Sequence, residues 1–381
     1  MRKKILATST HPGAMNAIIP VIKRLSEKED LEVSVIGYKY SEKVLENQKI
    51  KYKTIKDYNL NDISVESMDK ILQNEHPDLI LTGASSPNKT DSEVIEQKMI
   101  YAARKMNIKS LAVMDFFVEG YQRFSDFNEG EAGKFKYLPD KITTLDKLSE
   151  EIMLNEGFPK EKLAITGNPY FDELAGLKNK FNENDRKKLK NELGIDMDSY
   201  LFFYMSQPIE QQCGNKLGYT EKDALREFLD SFKDIKTDKK FNIIVKAHLR
   251  ENQEDLEKIA KEYNLPVIVD QQKLPLRPVM FASDAVISPW STMLIESTYL
   301  EKPSISLQPG LNAEDPLITN KLGITVPVYK HGEMKGIVEK LLNDKNYNIE
   351  LSQMGKRKGF SIDGKATERV TNLVYEMLNT K

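Results

Sequence analysis

Ala282-Ser283-Asp284-Ala285-Val286-Ile287-Ser288-Pro289-Trp290-Ser291-Thr292-Met293-Leu294-Ile295-Glu296-Ser297-Thr298-Tyr299-Leu300-Glu301-Lys302-Pro303-Ser304-Ile305-Ser306-Leu307-Gln308-Pro309-Gly310 is the stretch on which the fold turns. Its apolar run predicts a buried strand over 284–287, a tight turn at Pro289, a helix opening at Ser291 or Thr292, and a second strand over 303–307. Strand, hydroxyl-rich turn and helix start together suit an anion, because the first helical turn carries unsatisfied N–H groups and partial positive charge. Glu296 follows the cap by roughly 6 Å along the helix axis at 1.5 Å per residue, about the offset between a diphosphate and the hydroxyls of its ribose. The plainer alternative is that Ser291 and Thr292 only cap the helix and Glu296 is a surface carboxylate.

Outward from this stretch, the 381 residues are too many for one ordinary core and predict two domains. The 56 basic and 58 acidic residues leave a net charge of −2, which argues against a nucleic-acid binder. One cysteine, Cys213, excludes an internal disulfide and any cysteine-only metal site. The basic start of the chain lacks the long apolar run of a signal peptide, and no window approaches a membrane span. The expectation is a cytoplasmic protein whose membrane contact, if any, is peripheral.

Both halves repeat one grammar of strand, turn and helix, which predicts parallel sheets covered on both faces. In the first half, strands are expected over 4–9, 32–37, 51–55, 77–83, 110–114, 141–144 and 163–166, with helices over 14–28, 91–106 and 147–156 among them. Loops at the carboxyl ends of such strands are where ligands bind in open parallel sheets. They are Thr10-His11-Pro12-Gly13, Gly83-Ala84-Ser85-Ser86, and the run from Asp115 to Phe124, which holds Glu119 and Arg123. The charged segment 178–190 is the linker candidate, although 183–193 has a helical pattern. In the second half, strands over 200–205, 242–246 and 267–269 lead to the organising stretch. The expected boundaries are 1–175, 176–360 and a terminal helix in 361–381, whose apolar Val370, Leu373, Val374 and Met377 need a partner surface.

Several pieces stand in an order that resembles a known superfamily. Gly167-Asn168-Pro169-Tyr170-Phe171-Asp172 resembles the segment closing the N-terminal domain in hydrolysing UDP-N-acetylglucosamine 2-epimerases and in two-Rossmann, GT-B type glycosyltransferases. Lys246-Ala247-His248, and Ser288-Pro289-Trp290-Ser291-Thr292 with Glu296, resemble motifs of the polymerases that use CDP-glycerol or CMP-sialic acid. Asp363-Gly364-Lys365-Ala366-Thr367-Glu368-Arg369 is similar to the opening of their terminal helix. Leu249 replaces their usual proline, and Ser288-Pro289-Trp290 replaces Asp-Tyr-Ser. The epimerases' histidine after the first strand of the second domain is missing, since Ser206-Gln207-Pro208 stands there.

The resemblance implies an α/β fold of two facing Rossmann-like domains with a C-terminal helix returning to the first. It further implies a nucleotide-activated donor, a nucleotide sugar or polyol, on the C-terminal domain, and a glycan or small-molecule acceptor on the N-terminal one. The donor-side candidates are Ser206, Gln207, His248 and Arg250, with Ser288, Ser291, Thr292 and Glu296 from the organising stretch. On the acceptor side they are Gly13, Gly83, Ser85, Ser86 and Arg123. A transfer needs charge stabilised at the leaving nucleotide and a proton removed from the attacking hydroxyl. His248 and Arg250 suit the first task; Asp115, then Glu119, then His11 suit the second. The four histidines have no metal-ligand spacing, so no metal and no cofactor beyond the donor is expected. Three classes stay open: a metal-independent glycosyl- or glycerophosphotransferase of polysaccharide or glycoconjugate synthesis, a nucleotide-sugar epimerase or hydrolase, and a non-catalytic nucleotide-sugar-binding protein. A homodimer is compatible with each.

Overall fold

The computed structural model describes residues 2–87, 93–117, 119–271, 273–291, 293–358 and 362–379. The chain divides into two compact units, Met1–Ala175 with Ile362–Lys381, and Gly176–Ser361.

Unit 1 holds a six-stranded sheet: β1 (Lys3–Ser9), β2 (Leu31–Gly37), β3 (Leu79–Thr82), β4 (Lys109–Val113), β5 (Lys141–Thr144) and β6 (Leu163–Ile165). Their order is β2-β1-β3-β4-β5-β6 and every pairing is parallel. Successive strand side chains point to opposite faces. Accordingly Ile5, Ala7, Leu79 and Leu81 pack under the helix Pro12–Ser26, whereas Leu6 and Ile80 meet the helices Val65–Glu75 and Ile95–Lys105. The strand expected over 51–55 is reduced to a single bridge, Ile36 to Lys53. Thr54 and Asp57 form a capping box there and turn the chain into the short 3-10 helix Ile55–Tyr58.

Unit 2 repeats the plan with β7 (Tyr200–Met205), β8 (Phe241–Lys246), β9 (Val267–Asp270), β10 (Ala285–Ser288), β11 (Ser304–Leu307) and β12 (Val326–Val328). Its order is β12-β11-β10-β7-β8-β9, again all parallel. The chain steps outward from β7 to β9, then returns to lay β10 on the other side of β7. That reversal opens a crevice at the carboxyl ends of β7 and β10, the place where doubly wound sheets bind ligands. In unit 1 the equivalent reversal lies between β1 and β3.

The expected linker is ordered helix. Asn182 caps Glu183–Glu192. Arg186 pairs with Asp284 at 2.6 Å, and buried Lys190 donates to the Ser199 carbonyl at 2.6 Å. Its charges thus serve unit 2 rather than solvent, and the division between units falls inside the helix Asp172–Lys180.

The terminal helix Ala366–Asn379 lies in unit 1, with Val370, Leu373, Val374 and Met377 in the core beside the helix Pro12–Ser26. Asp172 accepts the backbone N–H groups of Ala366 and Thr367 at 3.0 and 2.7 Å, capping the helix from a distant point in sequence. Arg369 donates to the Thr166 carbonyl at 2.7 Å and pairs with Asp363. Gly167 has φ +84° and sits where a Cβ would lie 3.0 Å from the Ala366 Cβ. Two of the recurring motifs, around Gly167 and Asp363, are therefore the two halves of one latch.

Candidate functional site

At the unit 2 crevice a cavity of about 560 Å³ is lined by Ser206, Gln207, Lys246, His248, Gln271 and Ser291, with apolar walls from Leu249, Leu274, Leu276 and Met293. A lining that mixes polar and aliphatic groups suits a ligand with a charged part and an apolar part. His248 Nδ1 accepts the backbone N–H of Arg250 at 3.1 Å, so the neutral ring carries its proton on Nε2. Burial, then the nearby Arg250 guanidinium, hold the His248 pKa below its ordinary value. At neutral pH the ring is thus an uncharged donor. A neutral Nε2–H is a hydrogen-bond donor, one form in which a side chain can stabilise phosphate charge.

The donor-side candidates do not all reach this cavity. Ser206, Gln207, His248 and Ser291 line it, while Arg250 lines a separate cavity of about 300 Å³ together with Glu210, Glu221 and Lys222. Ser288 is fully buried, donating to the Met205 carbonyl at 2.8 Å, and so joins β10 to β7 rather than facing a ligand. Glu296, expected at a ribose, is engaged by a neighbouring side chain. Its helix is described from Met293, and Glu296 is 3% exposed and paired with Arg277 at 2.8 Å. Ser291 accepts the N–H of Met293 at 3.2 Å, the cap that the plainer reading foresaw. Thr292 lies outside the described residues.

In unit 1 the loops after β1, β3 and β4 meet at the sheet's reversal. Buried Glu96 accepts from the Ser9 hydroxyl (2.8 Å), the Thr10 hydroxyl (2.7 Å) and the Thr10 and Ser85 amides (3.1 and 3.2 Å). The Ser85 hydroxyl in turn accepts the His11 amide at 2.9 Å. Ser86 follows, half-buried, and the expected helix start at 91 lies outside the described residues. Gly83 has no room for a Cβ, which would stand 2.7 Å from the Ala14 carbonyl oxygen. Asp115 pairs with Arg123 at 2.6 Å, and its other oxygen would lie 2.7 Å from a Cβ on Gly13. Arg123 is 6% exposed and also donates to the Ala84 carbonyl. Glu119 is the more open carboxylate, with its side chain 45% exposed and 3.8 Å from Arg123. It sits at φ 68°, a left-handed conformation that costs a residue with a side chain on the order of 1–2 kcal/mol.

Three supporting residues escaped the sequence reading: Glu96, Glu251 and Arg277. Glu251 accepts from the Ser206 hydroxyl at 2.6 Å and the His248 amide at 2.5 Å. Glu96 and Glu251 are lone carboxylates near helix starts, which read as ordinary first-turn acids. Only Glu251 had a signal, since it stands in the same loop as His248. Among the described residues no group of three or more His, Cys, Asp or Glu could hold a metal ion. No described helix is long and apolar enough to cross a membrane.

Two six-stranded parallel sheets, each with its strand order reversing beside the first strand, define a two-Rossmann α/β protein of the GT-B type. Solved structures share this fold over nearly the whole chain. UDP-GlcNAc 2-epimerase from Neisseria meningitidis, bound to UDP-GlcNAc, is 17% identical with a TM-score of 0.67, covering 98% of this chain and 100% of its own. A glycosyltransferase from Rickettsia africae is 12% identical with a TM-score of 0.63, covering 100% of both chains. Anabaena HepE, in complex with UDP and glucose, is 14% identical with a TM-score of 0.61, covering 98% of this chain and 100% of its own. The chain belongs to the CDP-glycerol:poly(glycerophosphate) glycerophosphotransferase family, whose sequence profile matches residues 122–376. No curated protein matches it.

Proposed function

We propose that the chain is a metal-independent transferase that takes a nucleotide-activated donor on unit 2 and a hydroxyl-bearing glycan or small-molecule acceptor on unit 1. Glycerophosphate is the group the family favours, with a glycosyl group second, and surface-polymer or glycoconjugate synthesis is the setting. The observation that carries this reading is the unit 2 cavity at the sheet's reversal, whose lining combines an uncharged His248 donor, Ser206 and Ser291 with aliphatic side chains.

For a CDP-glycerol donor, the acceptor oxygen attacks the phosphorus bearing glycerol. The bond from that phosphorus to the bridging oxygen breaks, its electron pair leaves with CMP, and the hydroxyl proton passes to a base. His248 stabilises charge on the leaving phosphate by hydrogen bonding rather than as a cation. Asp115 is tied through one oxygen to the buried Arg123 at 2.6 Å, which fixes its place in the loop. Glu119 is exposed and only loosely paired, so it is the better base. Arg123 and Asp115 then position the loop.

Removing a general base costs roughly a hundredfold to ten-thousandfold in rate. Single-turnover assays of Glu119→Gln should show such a loss with donor affinity unchanged, whereas Asp115→Asn should lose stability as well. Normal turnover by Glu119→Gln would return the role to Asp115 or His11. Calorimetry with UDP, CDP, CMP and GDP conjugates identifies the donor, and release of free sugar without any acceptor would favour the epimerase or hydrolase class instead.

A further inference from the structure

We propose that Glu251 is the positioning residue of the unit 2 cavity, acting through His248 and Ser206 rather than by touching the donor; this rests on the nucleotide-site reading above. Its two carboxylate oxygens serve different loops. One accepts from Ser206, in the loop after β7, and the other accepts the amide of His248, in the loop after β8. Sheet pairing links the two loops as far as the Ser206 amide and the Lys246 carbonyl, 2.9 Å apart, and beyond that point this carboxylate bridges them.

The turn it closes is braced from outside. The Glu251 amide donates back to the His248 carbonyl at 2.9 Å, and the Gln271 side chain donates to the carbonyls of His248 and Glu251 at 2.9 and 2.8 Å. Within this closed turn the Arg250 amide reaches His248 Nδ1 and so selects the tautomer with the proton on Nε2. The carboxylate that holds the His248 backbone thereby also sets which ring nitrogen can donate. A carboxylate that orients such a ring without itself touching the reacting groups is a positioning residue of the kind that histidine sites commonly need.

The substitutions discriminate by geometry. Glutamine keeps the span: its amide oxygen accepts from the His248 N–H, and its amide nitrogen donates to Ser206, whose hydroxyl turns from donor to acceptor. Alanine removes both bonds, and aspartate is one methylene too short to make both.

Two measurements on the full chain test this. The four histidines, His11, His76, His248 and His331, can be followed by NMR titration. Glu251→Ala should move the His248 titration up toward the ordinary value as the turn opens, and Glu251→Gln should leave it where it is. In calorimetry with CDP, Glu251→Ala should weaken binding roughly tenfold, the loss of about one charged hydrogen bond. Glu251→Gln should stay within about twofold, and in a His248→Ala background Glu251→Ala should add less than about twofold, because the effect runs through His248. An unchanged His248 titration in Glu251→Ala overturns the proposal, as does full additivity with His248→Ala. If the wild-type chain binds none of CDP, CMP, UDP or GDP, the nucleotide reading fails, and the titration alone still decides whether Glu251 sets the ring.

Discussion

Arg277 and Glu296 show how a single residue changes meaning once its neighbours are known. Both side chains are largely buried, and each neutralises the other. Removing one partner of such a pair leaves a charge in a poorly solvated place, at a cost of about 3–5 kcal/mol. Glu296→Ala should therefore lower the unfolding free energy by an amount in that range, read as a lower urea midpoint; a loss of nucleotide affinity with an unchanged midpoint would show the carboxylate serving the ligand. His248 makes a pH prediction at the same scale. Its folded pKa lies below the ordinary value, so between the two values the unfolded chain holds more protons and stability rises with pH. That contribution is lost as pH falls from near the ordinary value of about 6.5, and His248→Gln should flatten this part of the stability curve.

Between elements, single carboxylates do much of the joining. Glu75, at the end of the helix Val65–Glu75, meets Lys53 and the Tyr58 hydroxyl at 2.6 Å each and Lys4 of β1 at 2.9 Å. Burial alone would raise its pKa, but hydrogen bonds from Lys53, Tyr58 and Lys4 outweigh burial and bring it down to about 2. Because the folded value is depressed, this stabilisation is full above the ordinary carboxylate pKa and is lost as pH falls toward about 2. The acid limb of unfolding should be shallower in Glu75→Gln, and an unchanged limb would remove Glu75 from the account. The terminal-helix latch makes a second prediction at this scale. Asp172→Ala removes two caps and should cost about 1–2 kcal/mol, measured as a shift in the denaturant midpoint. Gly167→Ala should cost at least as much, because it adds left-handed strain to a contact with Ala366.

At the scale of the molecule, the two cores are separate in composition but not in chain order. Phe202, Tyr204, Phe228, Ile243 and Val338 form a core drawn only from unit 2. Residues 176–361 expressed alone should accordingly unfold in one cooperative transition. The core of unit 1 takes Val370, Leu373, Val374 and Met377 from the far end of the chain. A fragment of residues 1–175 should lose that cover and bind a hydrophobic dye, and adding a peptide of residues 362–381 should suppress the dye signal. A fragment 1–175 as stable as the full chain would show the terminal helix to be dispensable.

The alternation of short apolar runs with amphipathic helices determined the class of fold without further help, because burying both faces of a parallel sheet leaves that pattern in the sequence itself. Loop positions were legible for the same reason: polar residues that directly follow a buried run, such as Ser206, His248 and Asp115, must lie at the carboxyl edge. The direction of each side chain was not legible. Whether Glu296 faces a ribose or Arg277 depends on where its helix starts and which helix lies alongside, and neither is local information. The same holds for Asp172, whose two hydrogen bonds reach residues 194 and 195 positions away. For Glu96 and Glu251, the partners come from separate loops that only the sheet order brings together. Sequence determines the periodic burial of a chain locally, whereas a carboxylate's partner is decided by whichever donor the tertiary fold places within hydrogen-bonding reach.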